Sequence, residues 1–525
     1  MSIPQGKTMR ERVQELEAER ARIQQMGGAD KVQKQHERGK LTARERFARF
    51  FDGGEYFEVG IHGTQMGQAG ATDRPPADAV ICGYGPVNGR MVAAAAYDFT
   101  VKGGSIGLVG ETKVTRMREL ALRCRMPMVW FIDSAGARID PQTQGGDNLS
   151  LFAGSGHLFR EEVLMSGVVP LCAAMVGPGA AGTAYIPGLA DFVPMVKGVG
   201  SMALGGPPLV KAVTGQDISE QDLGGSKIHC EISGVGDVEV PTEEACIELL
   251  KEYLGYMPQH CGEKPPIVPC ADPIDRREEA LLDVLPPSTR QAYDMYSIIR
   301  AVVDNGRFLD LKPRWAKNII TCLARIGGYP VGIVANNPKQ LGGILDVNSA
   351  DKASHFMQIC DAFNIPLVFL MDVPGFMVGS KVEHEGIIRH GAKMLHIMAA
   401  ATVPKLTVVV RKGYGAGYYV MAGRAYEPDL LVAWPGAEIS VMGAEGMVGI
   451  AGKKLFGGME PPPEVKQQIA ATIQQHIDIN KVAGWGLIDD VIDPRDTRKV
   501  LATGLRLSWN RTVERPARKR GIIPV

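Results

Sequence analysis

The chain has 525 residues, 45% of them hydrophobic and 22% charged, and its 58 basic and 58 acidic side chains balance to zero. That length suits two or more domains with ample cores. The balance excludes an electrostatic nucleic-acid binder, which carries a basic excess. Glycine is enriched at 63 residues without collagen period or serine-rich tracts, which points to many tight turns.

In chain order, residues 8–26 predict a charged surface helix with Val13, Leu16, Ile23 and Met26 on one face. The start has no apolar core of a secretory signal, and its glutamates argue against a transit peptide. Residues 31–46 are basic and read as a solvated face in preference to a phosphate site. From residue 90 a βα rhythm begins. MVAAAAYD (91–98), MPMVWFIDS (126–134) and VVPLCAAMVG (168–177) read as buried strands, with helical patterns near 107–125 and 154–167. Alternation of this kind indicates α/β layering. Residues 163–190 lack any charge and are long enough to span a bilayer. Three prolines and the run GPGAAG inside them favour strand, turn and helix over a membrane span. The nine cysteines are scattered with no CxxC pair, as in a reducing compartment.

An internal repeat organises the chain. GGSIG (103–107) answers to GGILD (342–346), and CRMPMVWFIDSAG (124–136) to AFNIPLVFLMDVPG (362–375), with Pro127 and Pro366, and Asp133 and Asp372, each 239 positions apart. GPGAAG (177–182) answers to GYGAG (413–417), Asp191 to Asp429, and Gly205 to Gly443. Landmarks in one order at a nearly constant offset predict two copies of one α/β unit. The boundaries read as an N-terminal helical segment 1–59, a first half 60–261, a proline-rich linker 262–299 and a second half 300–525.

In each copy a buried strand runs into a Gly/Ala-rich turn and then an apolar helix. The first amides of a helix lack internal partners and sit at the positive end of its dipole. Two such amides aimed at one point make an oxyanion hole. The candidates are the backbone amides of Ala181 and Gly182, and of Ala416 and Gly417. For either turn alone, tight helix–strand packing is the favoured account of the glycines, and the recurrence of both at one repeat position brings the oxyanion-hole reading level with it. The turns DSAGARI (133–139) and DVPGFMVG (372–379) occupy matching strand ends, where ligands of α/β folds gather. Asp133 and Asp372 there read as turn or cap aspartates, with acid–base chemistry as the alternative. His384, His390 and His396 lie six apart without metal-ligand spacing, so no metal site is expected, and His390 reads as a hydrogen-bonded structural histidine. No P-loop and no GxSxG elbow occurs.

Along nearly its whole length, from GKLTARERF (39–47) to the terminal GIIPV, the chain resembles the carboxyltransferase (β) subunits of biotin-dependent acyl-CoA carboxylases. That family includes the propionyl-CoA, acetyl-CoA and methylcrotonyl-CoA carboxylases. The motifs are DFTVKGGSIG (98–107), DSAGARI, GPGAAGTAY, NNPKQLGGILDVNSADKASHF (336–356), DVPGF, EGIIRHGAK (385–393), GYGAGYYVM and AWPGAEISVMGAEG (433–446). The resemblance implies a tandem duplicated crotonase-type fold, each half a spiral of βαβ units. It implies carboxyl transfer from N-carboxybiotin to the α-carbon of an acyl-CoA through two oxyanion intermediates. By carry-over, Ala181 and Gly182 hold the thioester oxygen and Ala416 and Gly417 the biotin. Gly103, Gly104, Ala135, Gly136 and Tyr419 fall on the substrate side. Gly342, Gly343, Pro374, Gly375 and Phe376 fall on the biotin side. Relatives often carry Gly-Gly and Gly-Ala at the two turns where this chain has Ala-Gly twice, and Asp or an aliphatic residue where it has Tyr419. The acyl group is therefore read only as short or medium, with propionyl-CoA favoured.

The chain lacks a biotin-attachment sequence and an ATP-grasp region, so biotin is expected on a separate carrier, the biotin-carboxylase (α) subunit. A hexamer, a trimer of dimers with sites between subunits, is expected. The expected location is the cytoplasm, with a mitochondrial matrix also compatible. The alternatives are the carboxyltransferase subunit of a biotin- and sodium-dependent acyl-CoA decarboxylase, a methylcrotonyl-CoA-type carboxylase, a simple hydratase, which would need two glutamates near one hole where Glu438 and Glu445 sit on a turn without an assigned role, and a non-catalytic scaffold.

Overall fold

A computed structural model describes residues 6–64, 74–138, 156–444, 446–449, 462–517, 519 and 521–525. Ile139 and Glu445 lie outside them. The chain divides into two compact units, Met1–Gly262 and Glu263–Val525.

In the first unit the strands are β1 (Phe57–Val59), β2 (Val80–Val87), β3 (Arg90–Tyr97), β4 (Met128–Ser134), β5 (Leu171–Ala180), β6 (Pro194–Val196), β7 (Ser201–Ala203) and β8 (Val238–Val240). They order as β1-β2-β3-β4-β5-β6-β8, with β7 also on β5. The second unit repeats this with β9 (Phe308–Leu311), β10 (Ile319–Ile326), β11 (Tyr329–Asn336), β12 (Leu367–Val373), β13 (Lys405–Tyr414), β14 (Leu430–Ala433), β15 (Glu438–Ser440) and β16 (Asp490–Val491). Their order is β9-β10-β11-β12-β13-β14-β16, with β15 on β13. In both, the first three strands are antiparallel and the rest parallel. The fold is thus a tandem α/β duplication of the crotonase type.

Parallel strands lie under helices on both faces and must be apolar throughout, and MVWFIDS and LVFLMDV are buried at every position. The first core packs Met128, Trp130, Ile132 and Met175 with Val114, Met117 and Ile186 from the helices. The second packs Val368, Leu370, Val408 and Val410 with Ile298, Ile299, Leu501 and Leu505. Leading helices are closed by capping boxes, Thr8 with Glu11 and Thr42 with Glu45.

Strand starts are stapled alike in the two units. The Asp191 carboxylate accepts from the Leu171 amide at 2.8 Å, and Asp429 from the Lys405 amide at 2.9 Å. Asp237 accepts from Val193, and Asp489 from Leu431, each at 2.7 Å. Buried lysines 239 positions apart repeat as well. Lys113 donates to the carbonyls of Ala77 and Val80, and Lys352 to those of Lys312, Trp315 and Ile319.

Residues after Gly262 pack on the second unit. The Val268 amide donates to Gly328 at 3.1 Å, Arg276 donates to the Ala301 carbonyl at 3.0 Å, and Leu281 and Tyr293 are buried. The uncharged stretch resolves as a helix end, β5 and the helix Gly182–Leu189. Among the described residues no helix is long and apolar enough to cross a membrane. Gly386, φ 86°, separates the helices Ser380–His384 and Ile387–Ala400, and Ile388 on the second is 76% exposed.

Candidate functional site

In the first unit the site grows from the carboxyl end of β4. The Ala135 amide donates to the Gly103 carbonyl at 2.9 Å, and the Ile106 amide to the Gly136 carbonyl at 2.8 Å. The Ser134 hydroxyl donates to Gly104 at 2.7 Å and accepts from the Gly136 amide at 3.1 Å. The loop 103–106 is thereby zipped to the strand end. A Cβ on Gly104 would overlap the Asp133 carbonyl oxygen, and one on Gly136 would stand 2.7 Å from the Ala180 oxygen, so both positions require glycine. Gly103, by contrast, has only Ala135 Cβ nearby at 3.6 Å. Gly136 brings β4 against the end of β5, where the chain kinks at Ala181 (φ 52°, ψ −121°) and enters the helix Gly182–Leu189.

The second unit repeats the construction. The Leu345 amide donates to Gly375 at 3.0 Å, and Met377 donates to Leu345 at 2.7 Å. A Cβ on Gly343 would stand 2.8 Å from the Asp372 oxygen, while Gly342 and Gly375 face open space. Phe376 packs its ring against Gly391 of the helix Ile387–Ala400, and Pro374 beside it is half-buried. β13 ends at Tyr414, the kink falls at Gly415 (φ 56°), and the short helix Gly415–Val420 follows. Gly417 packs on Val373 and Gly375. Tyr419 is 47% exposed, its ring near those of Tyr418 and Tyr426.

Strand register sets which residues correspond. Ala180 pairs with Ala203 and Tyr414 with Ser440 at equal places in their ladders. Ala181 is therefore the counterpart of Gly415, Gly182 of Ala416, and Thr183 of Gly417. The two Ala-Gly pairs that look alike in sequence are one residue out of step. The Ala181 amide donates to the Ala203 carbonyl at 3.1 Å, which leaves Gly182 as the first amide beyond the kink.

Asp133 and Asp372 are neither caps nor exposed acids. Asp133 is fully buried, pairs with Lys40, and accepts from Arg46 at 3.0 Å and Gln35 at 2.8 Å. Arg46 also holds Glu243 at 2.7 Å. Lys40 and Arg46, read from sequence as part of a solvated face, are instead buried: the fold draws two of the six basic residues inward to neutralise strand-end carboxylates. Burial pushes the Lys40 ammonium down, partly countered by Asp133. Burial also opposes the Arg46 charge, but Glu243 and Asp133 outweigh it and hold its pKa above the usual value. In the second unit one cation suffices. Arg411 pairs with Asp372 at 2.9 Å and lies over the Tyr293 ring at 4.8 Å. Glu438 accepts from the Tyr414 hydroxyl and from Gln474. The Asp351 carboxylate accepts from His390 Nδ1 at 2.7 Å and from Lys393 at 2.9 Å. The buried partners of Asp133 escaped sequence reading, because they lie 87 or more positions away from it.

The carboxyl transferase domain family matches residues 34–523. The chain belongs to this family. The carboxyl transferase is 39% identical over 99% of its length to the methylmalonyl-CoA decarboxylase α subunit of Veillonella parvula, of which it covers 100%. It is 40% identical over 95% of its length to the human mitochondrial propionyl-CoA carboxylase β chain, of which it covers 91%. Among solved structures it superposes on the transcarboxylase 12S subunit, crystallised as a hexamer with methylmalonyl-CoA, with TM-score 0.92 and 40% identity over 99% of this chain and 100% of that one. The chain is thus a carboxyltransferase subunit of the biotin-dependent acyl-CoA carboxylase and decarboxylase class.

Proposed function

We propose that this carboxyl transferase moves a carboxyl group between biotin on a separate carrier protein and the α-carbon of a short acyl-CoA, with propionyl-CoA and methylmalonyl-CoA as the exchanging pair. The observation that carries the reading is the duplicated kinked turn, one per unit, each opening a helix beside a glycine loop zipped to the neighbouring strand end. Enolate formation places negative charge on the thioester oxygen, and loss of the carboxyl from biotin places it on the ureido oxygen, so two sets of preorganised donors are needed. In the first unit the Gly182 amide, with Thr183 after it, takes the thioester oxygen, while Ala181 supplies the kink and its amide stays on Ala203. In the second unit Ala416 and Gly417 serve the biotin.

Biotin, when bound, supplies the carboxyl group and a ureido nitrogen able to take the α-proton. The second turn suits it. Gly342 and Gly375 leave the backbone open to close approach, and Leu341, 58% exposed, and Phe376 offer an apolar lip. Asp133, Asp372 and Glu438, carboxylates on the strands that lead into or flank the turns, are all paired. That supports a mechanism without a side-chain base. Gly103, Gly104, Ala135 and Gly136 shape the wall on the thioester side, and Tyr419 lines the acyl end.

The partner is a biotinylated carrier subunit, and the working assembly is a hexamer in which the first unit of one subunit meets the second unit of another. The cytoplasm is the proposed setting, supported by nine scattered cysteines with no CxxC pair, six of them buried. A second reading, the decarboxylase direction, is favoured by the full-length likeness to a decarboxylase subunit. Sodium-dependent, ATP-independent carboxyl loss by the native complex would select it.

The test uses purified protein, free biotin and, in turn, malonyl-, methylmalonyl- and methylglutaconyl-CoA. Carboxyl loss from methylmalonyl-CoA only when biotin is present is the expected result. Preference for another thioester overturns the substrate. Failure of all three, with free biotin and with a biotinylated carrier, overturns the reaction.

A further inference from the structure

At the start of β13, the end far from its catalytic turn, Lys405 is completely buried, and its ammonium has no acceptor among the described residues. Two arginines of the C-terminal segment reach the same place. Arg511 pairs through Nη1 with Asp429, whose other oxygen already accepts the Lys405 amide at 2.9 Å. Arg515 pairs through Nη2 with Glu427 at 2.9 Å and donates to the Ala401 carbonyl at 3.3 Å. Each guanidinium keeps its Nε–H buried without an acceptor among the described residues. Burial first, and then the charges of Arg511 and Arg515, push the Lys405 ammonium down to about 8, so at neutral pH it is still largely charged.

Three cations thus face two carboxylates, Glu427 and Asp429, and one positive charge is left over amid three donors that have no acceptor among the described residues. Buried donors and buried charges are costly unless matched. Strand architecture does not require the lysine. Register places Leu171 at the equivalent position of the first unit, where Asp191 makes the same staple as Asp429 with an apolar side chain between. The cation is a feature of the second unit alone, brought together with arginines that have no counterpart in the first.

We propose that Lys405, Arg511 and Arg515 form a binding site for one small monovalent anion, a halide or a bicarbonate-sized carboxylate, which ties the C-terminal segment to the base of the second sheet. The excess of one charge sets the valence, and the complete burial of Lys405 limits the size. The site is separate from the turns assigned to carboxyl transfer and does not rest on that assignment.

The full-length protein is titrated at pH 7 and constant ionic strength with sodium bromide, sodium bicarbonate or the bulky sodium gluconate, reading the thermal transition. Crystals grown in bromide are read by anomalous scattering. A saturating rise of about 2 °C or more with a small anion, absent with gluconate, is expected, together with an anomalous peak within hydrogen-bonding distance of Lys405 Nζ. The small anion that saturates at the lower concentration identifies the ligand as halide or carboxylate. Lys405→Met, which imitates the apolar residue of the first unit, should fold and lose the response. Arg511→Gln should weaken it. No saturable response to either anion, or an equal response in Lys405→Met, overturns the site.

Discussion

Ala181 holds φ 52° and ψ −121°, a backbone conformation that glycine adopts freely and alanine resists. Such strain persists where the surroundings over-determine it, here at the mouth of the first turn. Ala181→Gly is expected to stabilise the protein by about 1 kcal/mol in denaturant titration, because relief of strain exceeds the added unfolded-chain entropy. Gly182→Pro deletes the amide assigned to the thioester oxygen at a first helical position that accepts proline. We expect kcat to fall about 10²- to 10³-fold with the fold retained, while Gly182→Ala, whose Cβ meets only Phe159 at 3.4 Å, stays active. Equal thermal transitions with unaltered kcat for the proline variant would remove Gly182 from the mechanism. Tyr419→Asp tests the acyl end, and an unchanged preference among thioesters would show that this residue does not select chain length. Asp191 adds a pH dependence. Burial first, and then Asp237, push its carboxyl up to about 7, partly countered by the Leu171 amide. A raised folded pKa means the folded state binds the extra proton. The contribution to stability is therefore full below pH 4 and lost as pH rises through about 7. Asp191→Asn should flatten stability against pH over that window.

The strand-to-turn element shows how a repeated backbone is held by different side chains. In the first unit Asp133 is pinned by Lys40 and Arg46, delivered by the segment that begins with GKLTARERF, and in the second Asp372 is pinned by Arg411 on the adjoining strand. Both arrangements clamp β4 or β12 where its glycine turn begins. Because Lys40, Arg46 and Glu243 are buried with it, removing the Asp133 charge leaves a cation uncompensated. Asp133→Asn should cost about 3–5 kcal/mol in chemical denaturation, and adding Lys40→Met should recover part of that loss. A cost below about 1 kcal/mol, the range of exposed pairs, would mean that the cluster does not hold the strand end. The glycine loop makes a second contrast. Gly103 and Gly104 share φ near 65°, so alanine strains both backbones alike, but only at Gly104 does the new Cβ strike the Asp133 carbonyl. Gly104→Ala should destabilise about 1–3 kcal/mol more than Gly103→Ala.

At the scale of the whole molecule, duplication supplies two matching kinked turns on one architecture, and the proposed hexamer brings the first unit of one subunit to the second unit of another. Mixing subunits carrying Gly104→Val with subunits carrying Gly417→Val, each inactive alone, tests this. Random reassortment should restore about a quarter of the sites when each site draws on two chains. No recovery after verified exchange of subunits would place each site within a single chain.

Hydrophobic runs, glycine placement and the repeat were enough to determine the α/β class, the two units and both turns, because local periodicity and backbone permissiveness are written in contiguous residues. The family was legible for the same reason, its motifs being short and unbroken. The one-residue correspondence of Gly182 with Ala416, the occupied amide of Ala181, and the burial of Lys40, Arg46 and Lys405 were decided only by the tertiary structure. Register is set by ladder partners on other strands, and a charged side chain reads as solvated until the fold brings its distant counter-ion, or leaves it without one.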